Sequence, residues 1–483
     1  MKKSILLAAL LLTITFSYSQ SAKKLVKTGI TKFQKEDFKG AIDDYTKAIE
    51  VDSNYADAYF YRGYTKFTLK DYQGAIIDYT KNVELDPKSY DGFIDRGDVK
   101  YILKDYKGAI DDFSSSLELY STDYETYFKR GRAKYDTAGY RAAIDDFSSA
   151  INLNPYNKFD FENNYKYIDT NDTKQRKMSL LYNDALYYRG LAKKNIKNNL
   201  EAILDFTQVL EFNINVFFSK KYIFNIKGLY QYTGYYLPDF LLEELDEKSW
   251  PNLTNALYYR GQLNYNLLKY KEAVADMSNV IKLNPKYAYA YYYRGMSNYA
   301  LKDYSNVSAP TIADFSNFIE LDSTLASAYY YRGIISSNWG MRGRLETYYD
   351  FTKAIKLDPN FAEAHFERGV QMFKIESLPN RESFSMDEIN ANYTKAIELK
   401  PNYPEAYFHR GIAKSDMRKK DYTGAIADYT IAIELNRNFV DAYYNRGNTY
   451  YRIRRNNEAC LDLKKTAELG KPYVYDLIKE YCK

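Results

Sequence analysis

Two residue types recur at a spacing that suits one kind of pairing. An arginine stands directly before a glycine at Arg62, Arg96, Arg130, Arg189, Arg260, Arg294, Arg332, Arg368, Arg410 and Arg446. Sixteen residues on comes an aspartate, giving Arg62/Asp78, Arg96/Asp112, Arg130/Asp146, Arg189/Asp205, Arg260/Asp276 and Arg446/Asp462. Where the spacing lengthens the acid moves along, as in Arg294/Asp314, Arg332/Asp350 and Arg410/Asp428, and only Arg368 meets a neutral residue, Asn392. A guanidinium offers a planar fork of donors that one carboxylate can accept through both oxygens, so the recurrence predicts bidentate structural ion pairs. Pairs of this kind hold two segments in register more than they add net stability.

Other residues with reactive side chains are few. The two histidines, His365 and His409, align with Tyr329 and Tyr331 of a neighbouring unit, which makes them helix-packing residues rather than a base or a metal pair. There is no Gly-rich phosphate loop, and the carboxylates recur with the period instead of forming one unusual acid–base pair. The sequence therefore predicts no enzyme, no metal and no cofactor. Cys460 lies ten residues before Gly470 and Cys482 twelve after it. Two antiparallel helices turning at Gly470 bring them level, and a disulfide is expected in an oxidising compartment.

The elements that position these residues form a repeat. The first three arginines are 34 residues apart, and Gly29 extends the series backwards by the same step. Gly228 marks a degenerate unit before Gly261, which makes twelve units in all. In each, a first helix such as 56–69 precedes a second such as 73–85, and Pro87 closes the unit. Ala75, Ile76, Tyr79, Val83 and Leu85 follow the helical apolar pattern, and Asp71 stands where it can cap the second helix. Asp37, Asp105, Asp303 and Asp421 hold the same place.

This unit resembles the tetratricopeptide repeat. Gly63 matches the family's small residue in the first helix, Ala75 and Tyr79 its small and aromatic pair in the second, and Pro87 its closing proline. Ala41/Tyr45, Ala109/Phe113, Ala143/Phe147, Ala202/Phe206 and Ala425/Tyr429 repeat the pair. The resemblance covers nearly all of 22–470 and implies an all-α, right-handed superhelical solenoid that binds protein or peptide partners. Arginine at the position usually held by leucine is a departure from the family pattern. Some members clamp a terminal carboxylate with Lys and Asn; aromatics replace those residues here, so that activity is not carried over.

Around the repeats the sequence reads as follows. Residues 1–19 are a secretory signal, with Lys2 and Lys3, an apolar run from Ile5 to Phe16, and Ser17 and Ser19 before the cut that leaves Gln20 first. An uncleaved anchor would need ~20 apolar residues, and the run is shorter. Repeats 1 to 4 occupy 22–155, a polar insertion 156–182, and repeats 5 to 12 span 183–470, with 212–253 degenerate. Smaller loops are expected at 303–311 and 376–387, and 471–483 reads as a capping helix. The chain is thus expected in a bacterial periplasm or beyond, without stable membrane insertion.

Charge and aromatic content point to the kind of partner. Lys plus Arg total 68 and Asp plus Glu 63, a net +5 over 483 residues, which argues against nucleic acid. Tyrosine, at 55, is in excess. If family geometry holds, one inward row carries Phe60, Phe128, Tyr187, Tyr258, Tyr292, Tyr330, Phe366, Phe408 and Tyr444. A second carries Phe67, Tyr101, Tyr135, Tyr265, Tyr299, Phe373 and Tyr451. Tyrosine joins rigid apolar area to a hydroxyl, so the expectation is an aromatic groove for a segment of another protein. The alternative is sugar stacking, for which Trp250 and Trp339, both in irregular segments, are the only tryptophans. Self-association stays open.

Overall fold

The Gly63 repeat shows how this sequence makes a hairpin. Helix Ala56–Thr68 ends where Lys70 takes a left-handed conformation, φ 63°, and helix Tyr72–Leu85 follows. Lys70 N donates to Phe67 O at 2.8 Å and Asp71 N to Lys66 O at 2.8 Å, which satisfies carbonyls at the helix end. The Asp71 carboxylate then accepts from Gly74 N at 2.9 Å and caps the next helix. Asp37, Asp105 and Asp421 cap in the same way. Glycine is needed opposite the buried ring: at Gly97 an added Cβ would lie 2.7 Å from the Phe113 ring.

The computed structural model describes residues 21–155, 173–221, 252–301, 304–337, 340–376, 384–416, 419–471 and 474–482. They contain 23 helices and no strand. The expected signal, Asp303 and most of the degenerate repeat lie outside the described residues. The chain divides into two compact units, 1–264 and 265–483. Unit 1 holds five hairpins, from 21–34 with Phe38–Val51 to Thr173–Asn195 with Asn199–Lys221, and then Leu253–Asn266, which runs to its border. Unit 2 starts its hairpins after Tyr270–Leu283. They run from Ala288–Ala300 with Tyr304–Leu321 to Val440–Arg452 with Asn456–Glu468. Within each unit helices pack on their sequence neighbours, and first helices of several consecutive hairpins also touch.

Among the described residues the core is made of small clusters, several of which join one hairpin to the first helix of the next. Ala75, Tyr79 and Val99 pack with Phe60 and Phe67; Ala425, Tyr429 and Ala432 pack with Phe408. Tyr79 is 1% exposed and Phe147 0%.

Three boundaries differ from the sequence reading. The polar insertion 156–182 is shorter, because helix Thr173–Asn195 begins within it and Asn154 Nδ2 ties it back by donating to Met178 O at 3.1 Å. The loop expected at 303–311 is mostly helix: Tyr304–Leu321 carries Pro310 inside it. The Arg294–Asp314 spacing is four residues longer than Arg62–Asp78, about one helical turn, so Asp314 keeps its angular place. At 376–387 the chain leaves Ala362–Glu376 and re-enters helix at Met386 through a capping box of Ser385 and Glu388.

At the C-terminus Gly470 has φ +96°, and helix Tyr475–Tyr481 follows. It brings Cys460 and Cys482 to disulfide distance, with Cα atoms 5.2 Å apart.

Candidate functional site: ion-pair ladder and outward face

The recurring arginines reach the acids of their own hairpins. Arg62 donates from Nε to Asp78 Oδ2 at 3.0 Å and from Nη2 to Oδ1 at 2.7 Å. Arg96–Asp112, Arg130–Asp146, Arg410–Asp428 and Arg446–Asp462 form the same fork. Arg294 and Arg332 keep it across their longer spacings, and Arg189 meets Asp205 similarly. Arg260, in unit 1, and Asp276, in unit 2, are 3% and 0% exposed. Arg368 donates from Nε to Asn392 Oδ1 at 2.7 Å.

A third partner was missed from the sequence. Arg62 Nη1 donates to Thr46 Oγ1 at 3.2 Å, on the preceding hairpin. Arg130 does so to Ser114, Arg189 to Ser148, Arg332 to Ser316, Arg410 to Thr394 and Arg446 to Thr430. Each of these six guanidinia therefore joins the acid of its own hairpin to a hydroxyl of the one before. The signal was present as a tripeptide, acid–aromatic–hydroxyl, in Asp44-Tyr45-Thr46, Asp112-Phe113-Ser114 and Asp350-Phe351-Thr352. Asp462, in the last described hairpin, departs from the tripeptide, with Leu463 and Lys464 following it. Rings three residues before the arginines lie under several of them, as Tyr59 lies 5.6 Å from Arg62.

The expected first aromatic row is mostly packing. Tyr187, Tyr258, Phe366 and Phe408 are 6 to 9% exposed. Phe60 meets Tyr79 at 5.9 Å, Phe128 meets Phe147 at 5.9 Å, and Tyr330 meets Phe351 at 5.8 Å and Phe361 at 4.7 Å. Tyr292 shares a hydrogen bond with Ser327 Oγ at 3.0 Å, and Tyr444 is half-buried. One side of each first helix closes on the second helix's ring, so Tyr187, Tyr258, Phe366 and Phe408 fill hairpins, while Phe60, Phe128, Tyr292, Tyr330 and Tyr444 stay half-buried. The second row is half-buried. Phe67, Tyr101, Tyr135 and Tyr265 rest edge-on or tilted against Tyr72, Tyr106, Tyr140 and Tyr270, and Tyr299 against Tyr331. The Tyr101 hydroxyl donates to Asp136 Oδ2 at 2.5 Å.

The outward face uses other positions: six before, two before and one after each glycine, an i, i+4, i+7 series. Tyr64 and Tyr289, on this face, are 42% and 41% exposed. In unit 1 it carries Asp91, Asp95 and Asp98, then Glu125, Lys129 and Arg132; in unit 2, Tyr289 and Tyr293, with Met296 at the third place buried in the core, then Ser327, Tyr331 and Ile334. Lys129 Nζ binds Asp98 Oδ2 at 2.6 Å between adjacent first helices. Burial, then Asp98, pushes the Asp95 carboxyl up to about 6. His409 packs among Phe366, Tyr393 and Phe408, and burial lowers it to about 4. His365 is buried, with Nε2 3.0 Å from Pro359 O. These environments make both histidines packing residues.

A family model described as TPR repeat matches residues 29–70 and 413–453, and tetratricopeptide-repeat models match 56–89 and 256–306. The chain carries tetratricopeptide repeats. Among solved structures it is similar to YrrB, described as a TPR protein with an unusual peptide-binding site. The identity is 22%, the match covers 41% of this chain and 94% of that one, and the TM-score is 0.34. It is also similar to MamA, at 20% identity, 39% and 93% coverage and TM-score 0.33. With the Cut9–Hcn1 hetero-tetramer of the APC/C the identity is 14%, the coverage 98% and 99% and the TM-score 0.38. No curated protein matches the sequence. Among the described residues no helix is long and apolar enough to cross a membrane.

Proposed function

We propose that the chain is an extracytoplasmic scaffold that holds segments of partner proteins against the outward face of its first helices, by binding and without catalysis. The observation that carries this reading is the face itself. Side-by-side helices present rings, hydroxyls and charges at each repeat, and the ladder beneath locks their spacing. Rigid spacing suits an extended or helical segment, because the receptor loses little entropy on binding. The groove first expected from the two aromatic rows becomes this neighbouring face, with the second row at its edge. The leader read at 1–19 supports action outside the cytoplasm.

The test uses the full chain, expressed in an exporting host, as bait on envelope extract. A specific partner should be captured by the parent and lost on Tyr289→Ser with Tyr293→Ser. Tyr349→Ser should keep it, since that ring is 55% exposed but stands on a second helix. Loss with Tyr349→Ser alone would sink the face. N-terminal sequencing of the exported protein should begin at Gln20, and retention of Lys2 and Lys3 would sink the exported reading.

A further inference from the structure

At the Gly97 repeat the outward face carries an acid where several others carry a ring; Glu367 in the Gly369 repeat is the other case. Two places before its glycine, Tyr61 stacks on Tyr45 of the preceding hairpin at 6.1 Å, Tyr188 on Phe147 at 6.1 Å and Tyr331 on Phe315 at 6.1 Å. Asp95 holds that place in the Gly97 repeat, next to Tyr79. Tyr79 is 1% exposed, and its hydroxyl has no hydrogen-bond partner. The charges acting on that hydroxyl are Asp95 and, more weakly, Asp98. Asp95 itself is half-buried, faces the Tyr79 hydroxyl and makes no ion pair.

The charge around Asp95 is unbalanced. Asp91, Asp95 and Asp98 share one side of helix Tyr90–Ile102, and Asp91 is exposed. From the adjacent first helix Lys129 neutralises Asp98 at 2.6 Å. Glu125, on the same helix, takes Lys177 at 2.7 Å. Asp91 and Asp95 form no ion pair, and Lys129, engaged with Asp98, acts on Asp95 only at longer range. A half-buried carboxylate without a cation, above a buried hydroxyl, is costly in a folded chain unless something is gained by it.

We propose that the Gly97 repeat is a docking site for a basic side chain of a partner segment, guanidinium in preference to ammonium, held by Asp91 and Asp95. A guanidinium can give both carboxylates a fork of donors, and its flat face suits a surface bordered by rings. With its outer oxygens occupied, Asp95 can accept from the Tyr79 hydroxyl below. The inference rests on the scaffold reading and names the chemistry that this part of the face selects.

The test pans a random peptide library displayed on phage against the full chain, the Asp95→Asn variant and the Asp95→Tyr variant. Asparagine keeps the shape of Asp95, and tyrosine restores the ring of other repeats, so at least one variant should melt with the parent. The parent should enrich peptides with Arg, or less strongly Lys, at one fixed register. The Arg consensus peptide, labelled and followed by fluorescence anisotropy, should bind roughly tenfold or more weakly to either folded variant. Its affinity for the parent should also fall with added salt. Enriched peptides without a basic residue, or equal binding by the variants, would overturn the inference and leave the scaffold reading standing. No enrichment by any of the three proteins would overturn both.

Discussion

The ladder is built differently in the two units. In unit 1 each ladder acid with a described partner is held by two cations: Lys66 joins Arg62 on Asp78 at 2.7 Å, Lys100 joins Arg96, Lys134 joins Arg130 and Lys193 joins Arg189. In unit 2, Asp314 and Asp350 have arginine alone, and burial raises both carboxyls. Asp428 has Lys414 as well as Arg410, and at Arg368 the acid is absent. A second cation offsets desolvation of the acid, and without one burial moves Asp314 and Asp350 towards protonation. Unit 1 is thus the more heavily charge-locked and unit 2 the more lightly, while the outward face varies repeat by repeat, charged at the Gly97 and Gly131 repeats and aromatic at the Gly295 and Gly333 repeats.

The largest effect should come from removing an acid that serves two cations. Asp112→Ala leaves Arg96 and Lys100 without their carboxylate and should cost unit 1 about 3–5 kcal/mol by denaturant titration. Asp350→Ala, which strands one arginine, should cost less, and equal losses would break the comparison. Acidification comes next. His409 is lowered from 6.5 to about 4, so its contribution is intact above pH 6.5 and lost as pH falls towards 4, about 3 kcal/mol in all. His409→Tyr should remove that dependence from the melting curve of unit 2. Asp95 acts with the opposite sign. Raised from 3.8 to about 6, it favours the folded state as pH falls through 6 towards 3.8, and Asp95→Asn should abolish that gain.

Smaller effects sharpen the contrast. Asn392→Asp gives Arg368 the carboxylate that its sister repeats have, and should stabilise unit 2 by about 1 kcal/mol in thermal melts. A loss would show that the Asn392 Nδ2 bond to Glu388 O, 2.9 Å, matters more. Ala138→Gly should gain unit 1 roughly 0.5–1 kcal/mol, because Ala138 sits at φ 60°. No gain would mean that the turn bonds already absorb the strain.

The hairpins and the ladder forks were legible in the sequence because both depend on short-range spacing. Residues sixteen apart across one tight turn have little freedom to miss each other, and helical periodicity places Gly63 opposite Tyr79. The hydroxyl that completes each fork was visible as Thr46 or Ser114, yet its role depends on how one hairpin sits on the next. The burial of Tyr187, Tyr258, Phe366 and Phe408 in the first aromatic row was hidden for the same reason. Phe60 and Tyr61 are neighbours in sequence, and which of them turns inward is set by the angle at which two helices pack.

The sequence by itself determined the repeat, the turns capped by Asp37, Asp71, Asp105 and Asp421, the arginine–aspartate partners and the approach of Cys460 to Cys482. Only the tertiary structure decided that Tyr187, Tyr258, Phe366 and Phe408 are core, that 304–311 is helix, and that Asp95 forms no ion pair. The physical reason is that local spacing constrains contacts within a hairpin, whereas burial, charge balance and the outward face arise from contacts between hairpins. Those contacts are fixed by packing over distances that a 34-residue period does not encode.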